Sequence, residues 1–467
     1  MSKPGFPPFA PYHSRSSRRL RNFYLSVGLW RRRASIWLAA ILVGLAATTL
    51  ASGSHLLHRW FDAAYNASPY WALLITPGGL GLSVWLLNRY FTGAGGGGIP
   101  QAIVCLQPGA VAIREKFLTL RGVVGKMVLT LLGIASGATF GYEGPIVQVG
   151  AAIKYSFDRK AALANEGTAR GLILAGAAAG VAAAFNTPLA GIVFAIEEMG
   201  RTLDQRSSKT ILLSVILAGL TATALIGNYN YFGVTSTTLP LASGWYAIPV
   251  TGLLGGVVGG LTAKLILAFS HQLPGPLARW RDSRPILFAV GCGVVIAAIG
   301  IASAGSTFGT GYYRAQDIIQ GHNAGLEGYS VLKLITLLLS YISGAPGGMF
   351  APSLAVGAGF GLNVSHLLPG LPYTALVLLG MVAFFAGMTR APMTGFVIVM
   401  EMTDSNGMII PLMAAALIAS SVSRIVSRHS LYDGQAHLLL KQLAGPRLPK
   451  PATQVRAASE AQQHDPD

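Results

Sequence analysis

Gly141-Tyr142-Glu143-Gly144-Pro145 sets an acid between glycines, just ahead of a proline, in one of the most apolar regions of the chain. Proline can begin a helix but not continue one, so Glu143 is placed at the positive end of a helix dipole. An anion would otherwise bind there. Putting an acid at the centre of a membrane helix costs about 2.5–3.5 kcal/mol on insertion scales, so one retained there has a use. A carboxylate that competes with an anion for one site, and that a proton can neutralise, is a gate. The plainer alternative is an acid paired with a neighbouring base to hold two helices together.

Two further breaks share this design: Gly96-Gly97-Gly98-Ile99-Pro100 and Gly347-Gly348-Met349-Phe350-Ala351-Pro352. Each puts exposed backbone directly before a helix-starting proline. Free N–H groups at such ends attract anions through partial charge alone. That suits conduction, which needs weak, multiple sites, whereas a Lys or Arg would hold a small anion too tightly. The first break is no phosphate loop, because no Lys-Ser/Thr follows it.

The elements that must position these breaks are apolar. Of 467 residues, 52% are hydrophobic and 11% charged, against roughly 25% charged in soluble domains. The chain is predicted to be an all-α polytopic membrane protein. Stretches such as Ile36–Gly53, Tyr70–Leu87, Ile211–Gly227, Pro285–Gly305 and Met408–Val426 reach about the 20 residues that cross a bilayer; Val331–Ile342 is too short. The 58 glycines suit close helix packing and also mark breaks.

Net charge of +17 reads as topology and excludes no membrane role; no nucleic acid partner is expected. Residues 1–35 carry eight Lys/Arg and no Asp or Glu, which puts the N-terminus in the cytoplasm. Basic clusters at Lys154–Arg170 and Arg201–Lys209 should be cytoplasmic, and the uncharged Gly227–Thr262 external. Residues 171–200 would then start and finish on one side, in too few residues for two crossings. The break Asn186-Thr187-Pro188 resolves this as two partial helices that enter and return, lining a pathway.

An internal repeat supports that reading. Thr187-Pro188-Leu189-Ala190-Gly191-Ile192-Val193 recurs as Ala391-Pro392-Met393-Thr394-Gly395-Phe396-Val397, an offset of 204, which sets Glu197 level with Glu401. Pro145–Gly150 answers Pro352–Gly357 at 207. Two halves with matching broken segments mark a transporter whose substrate binds near the midplane. Parallel and inverted halves are equally compatible with the repeat itself.

In order and spacing these motifs resemble the CLC family of chloride channels and chloride/proton antiporters, over nearly all of residues 36–441. Gly141–Pro145 is similar to the family's GREGP, Gly348–Pro352 to GxFxP and Gly96–Pro100 to GSGIP. Phe194–Met199 resembles the end of the helix bearing the internal proton-transfer glutamate, and Ser430-Leu431-Tyr432 the segment with the central tyrosine. The resemblance implies a CLC-like fold of two inverted repeats with broken and re-entrant helices, and a chloride/proton antiporter. Glu143 would be the external gate and Glu198 the internal proton acceptor. The anion-binding set would be Gly97, Gly98, Ile99, Met349, Phe350 and Tyr432. It further implies a prokaryotic-type homodimer with one pathway per subunit, in a bacterial inner membrane, with both termini cytoplasmic. An acid at Glu198 favours exchange over the alternative of a passive channel, and Tyr432 favours chloride over fluoride.

The expected division is a basic segment 1–35, repeats 36–235 and 236–428, a helix 429–441 reaching the anion site, and a disordered tail 442–467. Two positions depart from the family pattern: Tyr142 stands where GREGP has arginine, and Gly97 where GSGIP has serine, which opens the preference among chloride, nitrate and bromide. Lys126 either raises the potential along the path or snorkels to an interface. Glu401 is expected to hydrogen-bond at a helix end, and Arg390 to be a helix-end or loop cation. Cys105 and Cys292 read as packing residues. The nine histidines lack metal spacing and no catalytic pair is present, so no cofactor, metal or enzyme is expected.

Overall fold

A computed structural model describes residues 27–200, 205–227, 230–271, 273–322 and 326–444. Among these residues the chain is helical, and extended pairing is confined to one isolated antiparallel bridge between Gly141 and Gly348. Helices long and apolar enough to cross a bilayer occupy Arg33–Ala67, Pro69–Tyr90, Glu166–Phe185, Ser208–Ile226, Ala247–Ser270, Pro285–Ala302 and Asn406–Val426. Val111–Phe117 and Leu120–Ala135 are long and apolar enough only together, bent by 46° as a broken span or a re-entrant loop. Shorter helices such as Ile99–Cys105, Pro188–Phe194 and Pro392–Thr403 end inside the protein. The large apolar side chains left exposed, among them Leu45, Leu74, Leu220 and Val257, face outward from spanning helices, as a lipid solvent allows.

Small residues let the central helices touch backbone to backbone. A Cβ at Gly176 would lie 2.1 Å from the Gly150 carbonyl oxygen, so Glu143–Phe157 and Glu166–Phe185 pack with no side chain between them. The second half repeats this at Gly380, where a Cβ would lie 2.3 Å from the Gly361 Cα, between Phe350–Leu367 and Tyr373–Thr389. Without a hydrophobic drive between helices in lipid, such close approach supplies the cohesion.

Four expectations need correction. The Asn186-Thr187-Pro188 break is present, with Asn186 left-handed (φ 56°), but the preceding helix starts at Glu166 and is 20 residues long. Arg170 therefore lies within that helix, and its length permits a full crossing. Lys154 is no loop residue: it is buried in the last turn of Glu143–Phe157 and donates to the Ile36 carbonyl at 2.7 Å. The uncharged Gly227–Thr262 segment is not all loop, since the helix Ala247–His271 begins within it. The final helix runs Leu431–Ala444, later at both ends than expected. Residues 1–26 and 445–467, with most of the basic segment and the tail, lie outside the described residues.

Candidate functional site

The three glycine-proline breaks meet at one place. Gly141 and Gly348 exchange both backbone hydrogen bonds at 2.8 Å, joining the starts of Glu143–Phe157 and Phe350–Leu367. A Cβ on Gly144 would stand 2.4 Å from the Gly97 carbonyl oxygen, and one on Gly98 2.2 Å from that of Gly144. Only glycine permits this convergence, which brings two helix starts and the Gly96–Pro100 break within reach of one small ion.

Glu143 is 1% exposed at the first position of its helix. Its Oε1 accepts a hydrogen bond from the Tyr231 hydroxyl at 3.3 Å. Its Oε2 lies over Gly141, so close that a Cβ there would be 2.1 Å away, and makes no hydrogen bond of ordinary geometry. Backbone amides of Ala351, Tyr142 and Glu143 itself face the carboxylate. No ion pair among the described residues involves it. The helix-pairing alternative for this acid is thereby removed: the carboxylate sits where two helix dipoles point, without a cation.

Met349 and Phe350 are buried at the start of Phe350–Leu367, where N–H groups have no intrahelical acceptor. Phe350 is fixed by ring contacts to Phe385 and Phe185 at 4.5 and 5.3 Å. Tyr432, at the start of the last helix, is 3% exposed, and its hydroxyl is buried without a hydrogen-bond partner. The charges of both Glu198 and Glu143 reach it electrostatically. A buried orphan hydroxyl is costly unless something fills it, and an anion would. Gly98 differs from expectation. Its N–H donates to Gln101 Oε1 at 2.8 Å, so it is committed to capping its own helix. Gly97 is unencumbered by contrast: a Cβ there would find its nearest neighbour, the Gly347 carbonyl oxygen, at 3.6 Å. Ile99 is buried as the first helical residue beyond Gly98.

Lys126 does not snorkel to an interface. It is fully buried, and its ammonium gathers the carbonyls of Ala94, Gly95 and Gly96 at 2.8, 3.0 and 2.7 Å. In a planar trans peptide, turning the Gly96 carbonyl to the lysine turns the Gly97 N–H away from it. Another buried lysine, Lys333, lies 207 residues on, the offset that relates Pro145 to Pro352. It gathers the carbonyls of Thr307 and Gly309 at 2.7 and 2.6 Å, ahead of the Tyr312–Ile319 helix. Sequence reasoning passed over Lys333, although the offset was there to be read.

Two cavities border the elements that carry this centre. One cavity of about 350 Å³ is lined by Gly95, Gly96, Gly97 and Gly347, with Lys116 and Arg281 at its walls. Another, of about 270 Å³, holds Glu197 and Glu198 with Arg390, Arg424, Arg428 and Asp433. Glu197 and Glu401 make matching bonds. Glu197 accepts from the Met393 and Thr394 amides at 3.0 and 2.6 Å, while Glu401 accepts from Leu189 and Ala190 at 3.2 and 2.7 Å. Each caps the helix of the other half, a reciprocity that a two-fold relation between repeats produces. Glu401 is thus the helix-end group expected. Arg390, left-handed at φ 60°, caps carbonyls of Ser423 and Ser427. Tyr142 is buried, its hydroxyl 3.5 Å from the Ala184 carbonyl. Cys105 and Cys292 are buried free thiols.

Residues 79–424 match the family described as voltage gated chloride channel. The chain is 30% identical over 432 residues to the H(+)/Cl(-) exchange transporter ClcA of Vibrio campbellii, covering 87% of this chain and 90% of that one. It is 29% identical over 421 residues to ClcA of Vibrio vulnificus, at 86% and 89% coverage. Among solved structures, a slow cyanobacterial Cl−/H+ antiporter superposes with TM-score 0.73 at 24% identity, covering 88% of this chain and 98% of that one. A eukaryotic CLC transporter gives 0.72 at 20% identity, with 88% and 75% covered.

Proposed function

Because the chain belongs to the voltage-gated chloride channel (CLC) family, we propose that it exchanges chloride for protons, with Glu143 as the gate that couples the two fluxes. It is a multi-pass membrane protein of a transporter fold and not an enzyme. The observation that carries the proposal is the Glu143 carboxylate, buried without a cation where the N-terminal ends of two helices converge. Ionised, it fills a site built for an anion. Protonated, it no longer gains from the two dipoles, and chloride takes its place.

Chloride reaches the centre through the cavity at Gly97, past Lys116 and Arg281, and is held by the Met349 and Phe350 amides and the Tyr432 hydroxyl. Protons pass by the other cavity, through Glu198. Glu197, fixed to two amides, is the structural neighbour. The names of the Vibrio relatives support exchange over passive conduction. The protein works as a homodimer in a bacterial inner membrane, each subunit with its own path and both termini in the cytoplasm.

Planar bilayers under opposed chloride and pH gradients test the exchange. The reversal potential is expected away from the chloride equilibrium potential and to move with the proton gradient. A potential that ignores pH would make the protein a channel.

Anion preference turns on Gly97, which offers backbone where a serine would add a hydroxyl donor. A hydrogen bond to a charged group contributes about 1.5–3 kcal/mol, part of which water replaces. The native protein is therefore expected to bind chloride weakly, with little preference over nitrate or bromide. Gly97→Ser has room for its Cβ and should tighten chloride binding up to about tenfold, or about 1.4 kcal/mol. Calorimetric titration and bi-ionic reversal potentials on both proteins measure this. Tight, selective binding in the native protein, unchanged by the substitution, would assign selectivity to the amides and Tyr432 alone.

A further inference from the structure

We propose that the Tyr231 hydroxyl is the latch of the gate, holding the Glu143 carboxylate in the anion site and releasing it before it can swing out. The proposal rests on the gate reading of Glu143 and adds the residue that restrains it.

Tyr231 is 1% exposed, and its hydroxyl is the side-chain donor to Glu143, at Oε1. The other groups that face the carboxylate are backbone amides, and they belong to the site whether or not the acid occupies it. A side-chain donor differs, because its bond is made only when the carboxylate is in place.

The tyrosine is itself held firmly. Its ring meets Phe185 at 5.4 Å, Phe232 at 4.9 Å and Tyr312 at 4.7 Å, all edge-on. Its loop is pinned to the end of the Pro392–Thr403 helix, where Phe232 N–H donates to Met402 and Thr235 N–H to Thr403, each at 2.9 Å. A hydroxyl on a ring fixed from several sides cannot follow a departing carboxylate, so opening breaks the bond. The charged and titratable groups facing Glu143 are few: Tyr231 by hydrogen bond and Tyr432 through space. Lys126 is turned to the carbonyls of residues 94–96.

A donor to a carboxylate favours its ionised form. Removing the hydroxyl should let Glu143 take up a proton, and leave the site, at a higher pH. Tyr231→Phe keeps the ring and its packing. Chloride efflux from proteoliposomes, measured from pH 4 to 8 (roughly), is expected to reach half its maximum about one pH unit higher in Tyr231→Phe, the shift typical of one charge-assisted hydrogen bond. In a Glu143→Gln background the same substitution should leave the pH profile unmoved, since the pair no longer exists. An unshifted midpoint in Tyr231→Phe would overturn the latch, as would an equal shift in the Glu143→Gln background. Proton uptake by Glu143→Gln alone judges the gate separately: if it persists undiminished, the gate reading fails, whatever Tyr231 does.

Discussion

Glu143→Gln is expected to abolish proton transport while chloride flux continues and loses its dependence on pH. The amide keeps the size of the side chain but cannot titrate. In the proposed cycle, falling pH would protonate the carboxylate, remove its attraction to two helix ends and free the site, so native flux is expected to rise toward acid. Glutamine has no charge at any pH, so it competes poorly with chloride throughout. The measurement is proton uptake into chloride-loaded proteoliposomes, followed with a pH dye, beside chloride efflux at several pH values. Proton pumping undiminished in the variant would end the assignment. The effect should exceed that of any other single substitution here, because among the described residues Glu143 is the acid set where both convergent helix starts face it.

How much of this was legible beforehand depended on whether backbone or side chain carried the information. The three breaks were visible because glycine and proline fix backbone geometry locally; that two of them pair at Gly141 and Gly348 is set by the tertiary fold. The Glu197–Glu401 exchange was visible as a repeat, since a two-fold relation forces equal offsets on both partners. Tyr231 was not legible. It lies in an uncharged segment with no repeat counterpart in the motifs, and only folding brings it 88 residues back to Glu143. Gln101 carries no signal of its own: its reach back to the Gly98 N–H is an ordinary helix cap. Lys126 and Lys333 were misread or passed over because a buried cation is assumed to need an acid. Here carbonyls suffice, three at Lys126 and chiefly two at Lys333, an arrangement that composition cannot announce.

The neighbouring acids Glu197 and Glu198 provide the other large effect, as a contrast between adjacent residues. Glu198→Gln is expected to lose proton transport while keeping chloride flux that still rises toward acid, because Glu143 can titrate from the other side. Glu197→Gln should keep both fluxes and lose stability instead. Its carboxylate accepts from two backbone amides at once; a glutamine oxygen serves one, and its NH2 group would meet the other N–H donor to donor. The loss is about 1.5 kcal/mol, the low end for hydrogen bonds to a charged group, since the Met393 end of the cap is exposed. Proton coupling should survive, and the thermal unfolding midpoint in detergent should fall. Glu401→Gln, which breaks the matching cap on Leu189 and Ala190, should give a similar drop. Proton uptake and thermal unfolding measured on all three variants separate the roles. Loss of coupling in Glu197→Gln with a silent Glu198→Gln would move the proton acceptor by one residue, and would require the carboxylate that caps Pro392–Thr403 to leave that helix each time a proton passes.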